Sequence, residues 1–138
     1  MAIQSDIEAV LNNRMDAYDI AYPIDIVHPN TDYSPVEGTN YLQVYTLHAE
    51  TFQPEIGQSS RNRAVGIYQI NINVPIGEGR YQSNLIATQL QEYFKRSTGL
   101  TYNDVDVIIT KFYFGSEVKN GAWYTQIINV GFRSDIEN

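Results

Sequence analysis

Residues 68–74 read Tyr-Gln-Ile-Asn-Ile-Asn-Val, and this stretch decides the fold class. Apolar and polar residues alternate along it without interruption, which is the period of a β-strand with one buried face. The second face carries only uncharged amides, because residues 69, 71 and 73 are glutamine or asparagine. Pro75 follows directly and ends the strand, since proline cannot donate to a sheet ladder.

Helical periodicity lies on both sides of this strand. Near the N-terminus, apolar residues recur at the spacing of one helix face, and Pro23 prevents the helix from continuing. A second helix is predicted from about Arg80 to Arg96, with an apolar stripe and a stop at Gly99. The stripe of the first helix comprises Ile3, Ile7, Val10, Leu11, Met15 and Tyr18, and that of the second comprises Ile86, Ala87, Leu90, Tyr93 and Phe94.

Four more segments have the composition of strands, namely residues 24–27, 41–49, 105–114 and 122–133. Residues 115–121 join the last two and are predicted to form a long hairpin loop that carries Glu117 and Lys119. The predicted order is α-β-β-β-α-β-β. Hairpin-length connections imply an α+β fold, with a mostly antiparallel mixed sheet and two helices packed on one face. We expect residues 1–138 to form one domain.

Composition excludes several classes of protein. Sixteen acids and nine bases among 138 residues give a net charge of −7, so a free-standing nucleic-acid binder is not expected. No cysteine is present, which rules out disulfides, thiol nucleophiles and thiolate metal sites. The N-terminal residues MAIQSDIEAV lack the basic start and apolar core of a secretion signal. No stretch approaches the length of a membrane span, so no membrane partner is expected.

The acidity is confined to one part of the chain. Residues 1–55 hold nine acids and one base, whereas residues 56–138 hold seven acids and eight bases. This separation suggests a dipolar molecule whose opposite faces meet in neighbouring copies. Chance distribution over a solvated surface is the alternative, because exposed charges contribute little individually.

Candidate catalytic groups are few and do not form known motifs. His28 and His48 have no metal-ligand spacing, and strand-entry aspartates such as Asp104 and Asp106 are more often turn formers. Gly77-Glu78-Gly79 lacks the lysine and the remaining glycines of a phosphate-binding loop. We therefore expect no catalytic residue, no metal and no cofactor. The alternative is a small α+β enzyme or ligand-binding domain that uses His48 with Asp104 and Asp106 in a cleft.

Two features favour assembly. Arg61 and Arg63 are the only charged residues between Glu55 and Glu78, and arginine in such a setting suits a carboxylate or phosphate on a partner. The alternative is a solvated loop tip. Eleven tyrosines are present, and tyrosine is enriched at protein interfaces.

The order of motifs from Tyr41 to Phe94 resembles the tail terminator-like proteins of long-tailed bacteriophages. A strand YLQVYTLHAET is followed by Gly57, a basic loop SSRNRAVG, the stretch YQININVPIGEG and a helix ending LQEYF. Residues 1–40 also fit, so the resemblance covers about residues 1–96. At Pro29–Tyr33 the match to the family pattern is partial.

The resemblance implies a structural virion protein rather than an enzyme. Members of this family form a homohexameric ring that caps the tail tube, stops its polymerisation and offers a joining surface to the head-completion or neck protein. DNA would pass through the lumen without specific binding, and the protein, made in the host cytoplasm, would end in the tail or neck of the virion. A neck connector protein is the alternative. The residues expected at the subunit or tube interface are Arg61, Arg63, Glu50, Glu55, Asp32 and Glu37.

Overall fold

A computed structural model describes residues 3–28, 39–49, 62–77, 81–96, 98–102 and 105–136. The described residues form two helices and six strands. In chain order these are α1 (Ile3–Ala21), β1 (Asp25–Val27), β2 (Tyr41–His48), β3 (Asn62–Pro75), α2 (Tyr81–Phe94), β4 (Gly99–Tyr102), β5 (Val105–Asn120) and β6 (Trp123–Ile136).

The strands form one mixed sheet in the order β1-β2-β3-β6-β5-β4. Only β1 and β2 are parallel, and every other neighbouring pair is antiparallel. The central pair is β3 with β6, which run together from Asn62 opposite Ile136 to Pro75 opposite Trp123. The alternating stretch at residues 68–74 therefore lies in the middle of the sheet, with a strand on each side.

Both helices pack on the same face of this sheet and close one hydrophobic core. The alternation of β3 explains this arrangement, because its even-numbered residues are buried against the helices. Tyr68, Ile70, Ile72 and Val74 are all fully buried. Ile7, Leu11, Met15 and Tyr18 from α1 meet them, together with Ile86, Ala87, Leu90 and Phe94 from α2.

Polar contacts fix the two helices relative to each other. Arg14 Nε donates to the Tyr93 carbonyl oxygen at 2.8 Å and its guanidinium lies 5.0 Å from the Tyr93 ring centroid. One turn further along α1, the Tyr18 hydroxyl donates to Gln89 Oε1 at 3.1 Å. Helix α1 ends at Ala21, two residues before Pro23, and Asp19 Oδ1 accepts the Ile24 backbone N–H at 2.9 Å.

The predicted fold class and element order are confirmed, with one strand added and one loop corrected. The short strand β4 pairs with the start of β5 and was not predicted. Residues 115–120 are not a loop: Glu117 and Lys119 lie in β5, opposite Gln126 and Tyr124. The ladder continues because a tight turn with Gly121 at φ 62° lets β5 and β6 pair to their ends.

Candidate assembly surface

The side of the sheet opposite the helices is covered by no helix in the described part of the chain, and we call it the open face. Its centre is a row of amides. Thr125 Oγ1 donates to Asn73 Oδ1 at 2.6 Å, and Asn73 Nδ2 donates to Gln43 Oε1 at 3.2 Å. Gln69 Nε2 donates to Asn71 Oδ1 at 2.9 Å in the same row. These mutual hydrogen bonds fix the amide orientations and leave a polar surface without charge.

An aromatic pair closes one end of the amide row. The rings of Tyr41 and Trp123 meet edge to face, with centroids 5.0 Å apart. Together with Val118 they border a cavity of about 230 Å³, and Asn73 beside it is only 2% exposed. Burial raises the pKa of Tyr41, and the nearby Tyr45 raises it further. Tyrosine and tryptophan with one apolar and one wet edge are typical of contact surfaces.

The opposite end of the open face is basic. Lys111 and Arg133 line a cavity of about 460 Å³ whose apolar wall includes Val65 and Ile67. A Cβ at Gly131 would lie 2.7 Å from Lys111 Cγ, so the glycine allows the lysine stem to lie across β6. The buried Arg133 Nε has no hydrogen-bond partner among the described residues. This end of the face therefore carries two cationic side chains.

Arg63 is the second residue of β3, and the register places it opposite Asp135 of β6. The other predicted interface residues, Arg61, Glu50, Glu55, Asp32 and Glu37, lie outside the described residues. Of the predicted set, only Arg63 is thus located.

The helix side has a different character. The outer stripe of α1 carries exposed Asp16 and, one turn later, Ile20, whose side chain is 84% exposed. Between α1, β1 and α2 lies an open cavity of about 670 Å³, bordered by Tyr22, Ile24 and Leu85 among others. Large exposed apolar side chains beside a groove are typical of contact surfaces.

The structure does not bring the catalytic candidates together. His48 lies at the end of β2, where its Nε2 is 3.2 Å from Glu8 Oε1. Asp106 lies in β5, which is separated from β2 by two intervening strands, and it accepts a hydrogen bond from Thr101 Oγ1 at 2.8 Å. Asp104 is outside the described residues and His28 follows β1. No three histidine or carboxylate side chains with metal-binding proximity occur within the described ranges.

Sequence reasoning missed Lys111 and Arg133. Each lies in a segment correctly predicted as a strand. The alternation of the sequence does not show on which face of the sheet Lys111 lies, because the register of β5 shifts between Ile109 and Lys111. The available signal was Gly131, since glycine within a strand often marks a close approach. Neither helix among the described residues is long and apolar enough to cross a membrane.

Comparison with known proteins identifies the family. A solved structure without a functional name superposes with a TM-score of 0.76 and 24% identity, covering 95% of this chain and 94% of the other. A chain in the virion of a native gene transfer agent particle superposes with a TM-score of 0.63 and 12% identity, covering 99% and 98%. At these identities the likeness concerns the fold alone. No curated protein matches in sequence.

The family model described as phage tail terminator protein matches residues 6–132. That range includes most of α1, all of α2 and β1–β5, and most of β6. The resemblance found in the motifs from Tyr41 to Phe94 is therefore confirmed and extends well beyond them. The chain belongs to the phage tail terminator protein family, a family of structural proteins of the phage virion.

Proposed function

We propose that copies of this chain form a ring, expected to be a hexamer, that caps the phage tail tube. The ring stops polymerisation of the tube protein and presents the joining surface for the head-completion or neck protein. The observation that carries this proposal is the match of the tail terminator family model to residues 6–132. The gene transfer agent virion supports it, because a chain of that particle has the same fold over 99% of this one.

The surface chemistry supports assembly by unlike faces. A ring requires each subunit to present two different complementary surfaces, one to each neighbour. The open face offers amides, aromatic rings and two cations, whereas the outer side of α1 offers the exposed Asp16 and Ile20. The net charge of −7 is compatible with a ring through which DNA passes without being bound, because negative charges repel the DNA phosphates.

Tube growth in the presence of the protein tests the proposal. Purified tube protein is polymerised with increasing amounts of this chain, and tube lengths are measured by electron microscopy. We expect growth to stop, with one ring at a tube end. Light scattering of the free protein should give a mass near six times the 15.7 kDa of the chain. If the ring forms only at tube ends, the same number of copies should bind at each end.

A chain that remains a monomer in both conditions and leaves tube length unchanged would contradict the proposal. A ring that binds the neck protein but does not alter tube growth would instead indicate a neck connector.

A further inference from the structure

We propose that neighbouring copies meet head to tail: the outer side of α1 of one copy, which carries Asp16 and Ile20, contacts the basic end of the open face of the next copy. This inference rests on the proposed ring only in taking the partner to be a second copy of the chain. It identifies the two surfaces that meet, which the family membership does not.

Charge complementarity supports the pairing. On the open face, Lys111 and Arg133 have no carboxylate partner among the described residues. Helix α1 contains four acids and one base, and that base, Arg14, is committed to the Tyr93 carbonyl and ring. Two of the acids are also engaged, because Glu8 lies 3.2 Å from His48 Nε2 and Asp19 accepts the Ile24 N–H. The exposed Asp16 has no cationic partner within the described ranges.

Each of the two charged sites lies beside apolar side chains. Ile20 lies one turn beyond Asp16 on the same helix stripe and is 84% exposed. On the open face, the cavity that holds both cations is walled by Val65 and Ile67, and Leu47 beside them is 51% exposed. Burial of an isoleucine against such a wall contributes about 1.5–3 kcal/mol, whereas exposed charges alone contribute little.

The two surfaces lie on opposite sides of the same sheet. Such a contact is heterologous and continues from copy to copy until it closes, as a ring requires.

A charge swap tests the inference. Lys111→Glu and Asp16→Lys, made separately, should each raise the concentration needed for assembly about tenfold or more, because each places like charges in contact. The chain carrying both substitutions should assemble within about threefold of wild type, since the pair is restored with reversed sign. Sedimentation velocity measures assembly, and circular dichroism verifies that each variant is folded.

An apolar variant and a matched control complete the design. Ile20→Gln should also weaken assembly while leaving the monomer intact, because the side chain is exposed in the monomer. The control Lys95→Glu with Arg96→Glu changes exposed charges just after α2 and should assemble like wild type.

Single variants that assemble like wild type, or a double variant that is no better than the singles, would overturn the inference. Normal rings that fail only to join tail tubes would also overturn it, assigning the open face to the tube protein. Both results leave the proposed ring intact. A wild-type chain that never assembles would instead remove the proposed function.

Discussion

At the scale of single residues, two tyrosine hydroxyls are buried where α1 meets the rest of the core. Tyr68 is fully buried, donates to Asn12 Oδ1 at 2.8 Å and stacks on Phe94 at 5.7 Å. Tyr18 is 1% exposed and donates to Gln89. Burial is the main cause that raises the pKa of both tyrosines. Tyr22 and Tyr93 add to the effect at Tyr18, and Asp16 and Glu8 add to it at Tyr68.

We therefore expect the free energy of unfolding to fall as pH rises above about 10. The unfolded tyrosines ionise near pH 10, whereas the folded ones keep their protons, so above that pH the folded state binds more protons. Each of the two tyrosines should contribute a slope of up to about 1.4 kcal/mol per pH unit. Urea denaturation between pH 8.5 and about pH 11.5 measures the slope.

Phenylalanine substitutions separate this effect from general alkaline damage. Tyr68→Phe should reduce the slope above pH 10, and at pH 7 it should cost about 0.5–1.5 kcal/mol for the lost hydrogen bond. Tyr81→Phe is the matched control because Tyr81 is 74% exposed. A slope that is equal in all three proteins would refute the assignment.

At the scale of elements, the sheet depends on one glycine in its central strand. A Cβ at Gly66 would overlap the Leu47 carbonyl oxygen and lie 2.6 Å from Phe132 Cζ. Phe132 faces Gly66 across the β3–β6 ladder and is buried. The glycine thus allows a large ring from β6 to pack over β3.

Gly66→Ala should destabilise the protein by about 1–3 kcal/mol, because both the backbone of β2 and the ring of Phe132 must move. Chemical denaturation measures the loss. Gly99→Ala in β4 is the control, since a Cβ there meets nothing within 4 Å. Equal stability of the two variants would show that the residues packed over Gly66 can move without lowering the free energy of unfolding.

Most elements were predictable because their periodicity coincides with burial. The alternation at residues 68–74 and the stripe of α1 both follow directly from one-sided packing. Strand β4 was missed because four residues, Gly99–Tyr102, are too few to show a period and begin with a glycine typical of a helix stop.

The loop assigned to Glu117 and Lys119 was wrong for a related reason. Polar residues near glycine favour loops locally, but pairing with β6 outweighs that preference. The candidate surface was only partly predictable. The face of the sheet on which a side chain lies depends on the strand register, and a bulge in β5 changes that register.

At the scale of the whole molecule, the predicted role of Arg61 and Arg63 can be tested independently of the charge swap. Reversing both to glutamate should abolish ring assembly or tail joining if they bind carboxylates of a partner, because the new charges would repel those carboxylates. We expect the free energy of unfolding to change by about 0–1 kcal/mol for each reversed charge, the range for charges at a protein surface.

The Lys95→Glu, Arg96→Glu protein serves again as the control, because it alters net charge by the same amount. Assembly is followed by sedimentation and tail joining by electron microscopy. Normal tail completion by the reversed protein would exclude both arginines from the interface.

The pairing of β3 with β6 also has a consequence during synthesis. The final neighbour of β3 leaves the ribosome only after α2, β4 and β5 have been made, since Pro75 pairs with Trp123 and Asn62 with Ile136. At ~5–20 residues per second this delay lasts for seconds. Throughout it, the nascent YQININV strand has an unfilled edge that can pair with other chains. We therefore expect folding of each new chain to compete with pairing to other chains until β6 has been made.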